Sequence, residues 1–132
     1  MYKIFFIILL SFNLTIAQDK EGVSKLYDAE SGYEIKEMKF QNADFYYTQN
    51  FRQDTVKVWT SDCNFETPEK YKVGTKFKEL PERLQNQLMQ LPAYGYVLRL
   101  ETCWDLYFCE GETCTDKKIV TDSQVKWIQK GK

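Results

Sequence analysis

Apolar residues fall in two patterns along this chain: one unbroken run near the start, then short groups in which apolar and polar positions alternate. The run, residues 4–10, follows Lys3, has Phe12 just beyond it and gives way to Thr15, Ile16 and Ala17. A single charge, a short apolar stretch and a small-residue exit predict a secretory signal peptide over residues 1–17, cleaved to leave Gln18 first. The stretch is well short of the roughly 20 apolar residues that span a bilayer, so no membrane insertion is expected after cleavage. With no cysteine near the cut, a lipid-modified N-terminus is not expected either. The anticipated location is secreted or periplasmic.

Beyond the signal, residues 18–31 carry many charges and few large apolar side chains, which predicts a flexible or briefly helical start that adds little core. From Gly32 onward, aromatic and β-branched residues recur between Asn, Asp, Ser and Gly, the rhythm of strands and turns. One strand with an irregularity is expected over residues 33–40, and others at 45–47, 55–59, 96–100 and 104–108. Residues 119–120 follow past a charged turn, and 125–128 close the sheet. Alternation is clearest at residues 96–100.

A different period begins at Leu80. Pro81 suits the first turn of a helix, Leu84, Leu88 and Leu91 recur at helical spacing, and Pro92 stops the pattern. A short amphipathic helix over residues 81–91 is therefore predicted, with its leucines on the sheet and Arg83, Gln87 and Gln90 outward. The expected fold class is α+β: a mainly antiparallel β-sheet with one short covering helix. Removing 17 of the 132 residues leaves 115, which suits a single small β-rich domain over residues 18–132.

Cys63, Cys103, Cys109 and Cys114 form an even set in a small exported chain, so two disulfides are expected to staple the fold. Tetrathiolate zinc and redox-active dithiols draw on close C-x-x-C pairs, and none occurs here. Residues 110–113 make a turn-rich four-residue connection that sets Cys109 opposite Cys114 across a hairpin, leaving Cys63 to Cys103. The other register, Cys63 with Cys109 and Cys103 with Cys114, stays open if the turn falls at Asp116 and Lys117.

Charge and chemistry narrow the function. Lys and Arg total 18 against 19 Asp and Glu, net −1 with both signs interspersed. No basic stripe addresses a nucleic acid, and no polybasic cluster addresses an anionic membrane. Histidine is absent, which removes Ser-His-Asp and Cys-His nucleophile systems, His-ligated zinc and the usual acid–base group near neutral pH. Glu79, Glu82, Glu101, Asp105, Glu110 and Glu112 show no spacing that pairs two carboxylates across a cleft, and they read as solvated surface. No enzyme activity, cofactor or bound metal is expected; no Asp-rich calcium loop is present.

Without residues 1–17 the chain keeps eight Tyr, six Phe and three Trp, more rings than a core of this size needs. Phe45, Tyr46 and Tyr47 cannot all face one way in a strand, so some rings must reach the surface. Tyr46, Tyr47, Trp59 and Tyr94 are the candidate binding surface, since Tyr and Trp combine large contact area with a polar tip.

Leu80-Pro81, Leu91-Pro92, Gly95-Tyr96, Arg99 and Asp105-Leu106 resemble the C-terminal module of RcnB-like periplasmic proteins, where a leucine-proline, a helix and a Gly-Tyr precede a strand hairpin. The resemblance implies the same local order here. It does not extend to that family's nickel and cobalt homeostasis: Cys103, Cys109, Cys114 and a missing Thr-Gly turn depart from its pattern, and no histidine is present for such metals. The expected function is a small exported non-catalytic module binding a protein, glycan or envelope partner. The alternatives are a structural or accessory envelope protein with no specific ligand and, further off, a carboxylate-based small hydrolase.

Overall fold

The computed structural model describes residues 15–18 and 24–131; residues 1–14, most of the expected signal, lie outside them. The chain divides into two compact units. One draws on residues up to Met38 and on Tyr46–Val58, the other on Lys39–Phe45 and Trp59–Lys132.

In the first unit, strands β1 (Thr15–Gln18) and β2 (Ser24–Tyr27) pair antiparallel, with Thr15 opposite Tyr27 and Gln18 opposite Ser24. Residues 24–27, expected to be flexible or helical, are thus strand. The following loop is closed by its own groups: Asp28 N–H donates to Tyr33 O at 2.8 Å, Gly32 N–H to Asp28 O at 2.7 Å, and Ser31 Oγ to Asp28 Oδ2 at 2.8 Å. Strands β3 (Ile35–Phe40), β4 (Ala43–Gln49) and β5 (Thr55–Thr60) each contribute residues to both units. Between β4 and β5, Asn50 Oδ1 accepts from Arg52 N–H at 2.9 Å and Asp54 N–H at 3.0 Å, a side chain standing in for backbone through the turn.

The second unit holds β6 (Met89–Leu91), β7 (Gly95–Arg99), β8 (Trp104–Phe108) and β9 (Trp127–Lys130). The sheet runs β3-β4-β5-β9-β8-β7-β6, seven strands, with every register recorded for it antiparallel. Strand alternation sorts the side chains by face. Leu98 lies opposite Leu106, Leu106 opposite Ile128, and Tyr96 opposite Phe108, and all five are buried. Phe77 packs edge-on against Phe108 at 5.7 Å, which puts the segment before Leu80 over this face. The other face carries Tyr107 stacked on Trp127 at 4.8 Å and the Arg99–Asp105 pair. Gly95 must be glycine: its φ is +145°, and a Cβ there would meet Phe108 O at 2.7 Å.

Three expectations are corrected. The helix predicted over 81–91 is one turn, α1 (Glu82–Gln85), preceded by a 3-10 turn at Phe77–Glu79. Leu88 N–H already reaches back only to Gln85 O, at 3.3 Å. Met89, Gln90 and Leu91 pair instead with Val97, Tyr96 and Gly95: a helix this short is marginal on its own, and the strand edge satisfies their backbone groups. Residues 119–120 are not strand: Val120 N–H donates to Ser123 Oγ at 2.9 Å and Ser123 N–H to Val120 O at 3.0 Å, folding them into a turn. The third concerns the cysteines.

Cys109 and Cys114 form the disulfide expected across residues 110–113, with Cα atoms 4.0 Å apart. It is one bridge, where two were expected. Cys63 and Cys103 are free and exposed. Cys103, expected to pair with Cys63, is the last residue of a turn, with φ +66° and its N–H bonded to Leu100 O at 3.0 Å. Cys63 sits in a tight turn of its own, where Asp62 Oδ1 accepts from Asn64 N–H at 2.9 Å.

Candidate functional site

A cleft of about 430 Å³ opens in the second unit, with Phe40, Phe65 and Trp104 as its aromatic surface. Four separate segments supply it, and each is held by local chemistry. Phe40 ends β3, and the two-residue turn that follows has Gln41 at φ +51° and Asn42 at φ +61°, the left-handed pair that suits a tight hairpin. Phe65 is placed by the loop after β5: Thr60 Oγ donates to Asp44 O at 2.7 Å, and Asp62 Oδ2 accepts from Asp44 N–H at 2.9 Å. Trp104 starts β8 and lies opposite Lys130 of β9.

The rings form a connected stack. Phe45 meets Phe65 edge-on at 5.0 Å, Phe65 meets Trp104 at 4.7 Å, and Phe40 meets Phe45 at 5.7 Å. Phe45 and Phe65 are buried, whereas Phe40 remains 44 % exposed. The base is therefore rigid core and the rim an open ring face. Above Trp104 stands the Lys130 ammonium, 4.7 Å from the ring centroid, an arrangement worth about 0.5–1 kcal/mol at an exposed site.

The remaining wall is a turn over residues 67–71. Lys70 N–H and Tyr71 O both bond back to Thr67, each at 2.8 Å, and Tyr71 N–H donates to Thr67 Oγ at 3.1 Å. Pro68 suits the leading corner of such a turn. Lys70, in the position glycine occupies most easily, has φ +76°. The turn is tied down by Glu69, whose carboxylate accepts from Thr102 Oγ at 2.8 Å. Asp62 and Glu69 are thus committed to holding the walls. Of the charged side chains that line the cleft itself, Lys70 and Lys130 face one acid, Glu66.

The residues singled out from the sequence lie elsewhere. Tyr46 and Trp59 are buried at 3 % and 1 % exposure, so they belong to the scaffold. Tyr47 is half-buried in β4, and Tyr94 is exposed in the turn between β6 and β7. Tyr46 and Tyr47 fall in the first unit, Trp59 and Tyr94 in the second. None lines the cleft. Two of the acids taken as solvated surface are engaged in the interior. Asp105, 3 % exposed, receives Arg99 Nε at 3.1 Å, and Glu110 accepts from the buried Ser123 Oγ at 2.7 Å.

Among the described residues, no group of three His, Cys, Asp or Glu side chains is placed to hold a metal ion. No helix among them is long and apolar enough to cross a membrane. The chain matches no family model, no curated protein and no solved structure.

Proposed function

We propose that this chain is an exported, non-catalytic binding module whose ligand is a saccharide held in the cleft of Phe40, Phe65 and Trp104. The observation that carries the reading is an open ring face, Phe40, set beside a rigid aromatic base. A pyranose presents one face of C–H bonds, which packs on an aromatic ring, and an edge of hydroxyls, for which Gln41 and Glu66 supply donors and acceptors. The cleft's volume lies in the range of small-molecule sites, about 300–1,000 Å³. Binding is favoured over glycan cleavage because hydrolysis uses two facing carboxyls, whereas the lining includes one, Glu66. Export rests on the signal pattern over residues 1–17 and accords with the closed Cys109–Cys114 disulfide.

A glycan array probed with the chain and with Phe40→Ala tests this reading. The chain should mark a defined set of glycans, and the variant should lose at least tenfold in apparent affinity while folding normally, because Phe40 lies half outside the core. Equal binding by both proteins would place the ligand elsewhere. Intact mass of the exported protein should correspond to a chain beginning at Gln18; a mass that includes Met1 would contradict the export reading.

A further inference from the structure

We infer that the cleft selects an acidic saccharide, its carboxylate taken by Lys70 and Lys130 while the sugar ring lies on Phe40. This rests on the saccharide reading above and goes beyond it to the ligand's charge. The first ground is complementarity. The chain is acidic overall, with a net charge of −1, yet two ammonium groups and one carboxylate line the cleft. Asp62 and Glu69 do not line the cleft and accept from Asp44 N–H and Thr102, so the lining itself carries two positive charges against one negative.

The second ground is where the lysines stand. Lys130 is held over Trp104 at 4.7 Å, which fixes its ammonium in a cleft that also holds the half-exposed ring of Phe40, matching a uronate's carboxylate and pyranose face. Lys70 comes from the opposite wall, at a backbone conformation of φ +76° that favours glycine. Lys70 also offers a clean test, because glycine there relieves the backbone while removing the charge.

The experiment is calorimetric titration of the chain and of Lys70→Gly with trigalacturonic acid and with galactotriose, its uncharged counterpart, alongside thermal melts. The chain should bind the acid at least tenfold more tightly than the neutral sugar, and the preference should shrink as salt is raised. Lys70→Gly should melt at or above the temperature of the unchanged chain and lose about tenfold in affinity for the acid alone. Equal affinity for the two sugars would overturn the charge assignment and leave the saccharide reading standing. Unchanged affinity of Lys70→Gly would remove Lys70 from the site. Binding of neither sugar, with an array that marks other glycans, would overturn the inference alone; a blank array would remove both readings.

Discussion

Asp116 shows how much of this fold depends on single polar groups outside the sheet. Its carboxylate accepts Thr113 N–H at 3.0 Å and Glu112 N–H at 3.2 Å inside the loop closed by Cys109 and Cys114. Those backbone donors hold its pKa below the ordinary 3.8. A carboxylate whose folded pKa is depressed adds stability above its unfolded pKa and loses it as pH falls through the folded value. The loop should therefore keep its structure at pH 4 and loosen only below the ordinary carboxylate range. In an NMR pH titration, the Glu112 and Thr113 amides should move together with a midpoint below 3.8; a midpoint above 4 would show that the bonds are absent in solution. Nothing in the sequence marks this residue, since Asp116 reads as one more acid in a charged turn. The same holds for Asp105, whose burial follows only once Arg99 is found opposite it across the β7–β8 pair.

Elements were legible where one period ruled and misleading where two periods fit. Residues 96–100 and 104–108 alternate cleanly, and the observed β7 and β8 fall almost on them. Leu84, Leu88 and Leu91 fit a helical stripe, but the same letters also allow one turn followed by a strand, and the chain takes the second course. Leu84 is buried at 8 % exposure, whereas Leu91 is 38 % exposed on the edge strand β6. Leu84→Ala should cost about 2–4 kcal/mol in urea denaturation, and Leu91→Ala should cost less than about 1 kcal/mol. Equal, large losses at both positions would restore the long helix. The cysteines follow the same logic. The pair flanking a short turn could be read from spacing alone, whereas the fate of Cys63 and Cys103 depended on turns at both positions that composition does not reveal.

At the scale of the whole molecule, the candidate site was the least legible feature. An aromatic surplus predicts exposed rings, but it does not say which ones: Tyr46 and Trp59 are interior, Tyr94 is exposed away from the cleft, and the exposed ring at the cleft is Phe40. Phe40, Phe65, Trp104 and Lys130 come from four segments that meet only through the order β3-β4-β5-β9-β8 and the loop after β5. A local motif cannot encode such a meeting. Ligand binding in the cleft requires that those segments act as one surface. The most direct measurement is an NMR map of amide shifts on adding trigalacturonic acid. The changes should cluster at residues 40–41, 65–70, 104 and 130 and spare Tyr94. Changes scattered over the surface, or gathered at Tyr47 and Tyr94, would contradict binding in the cleft.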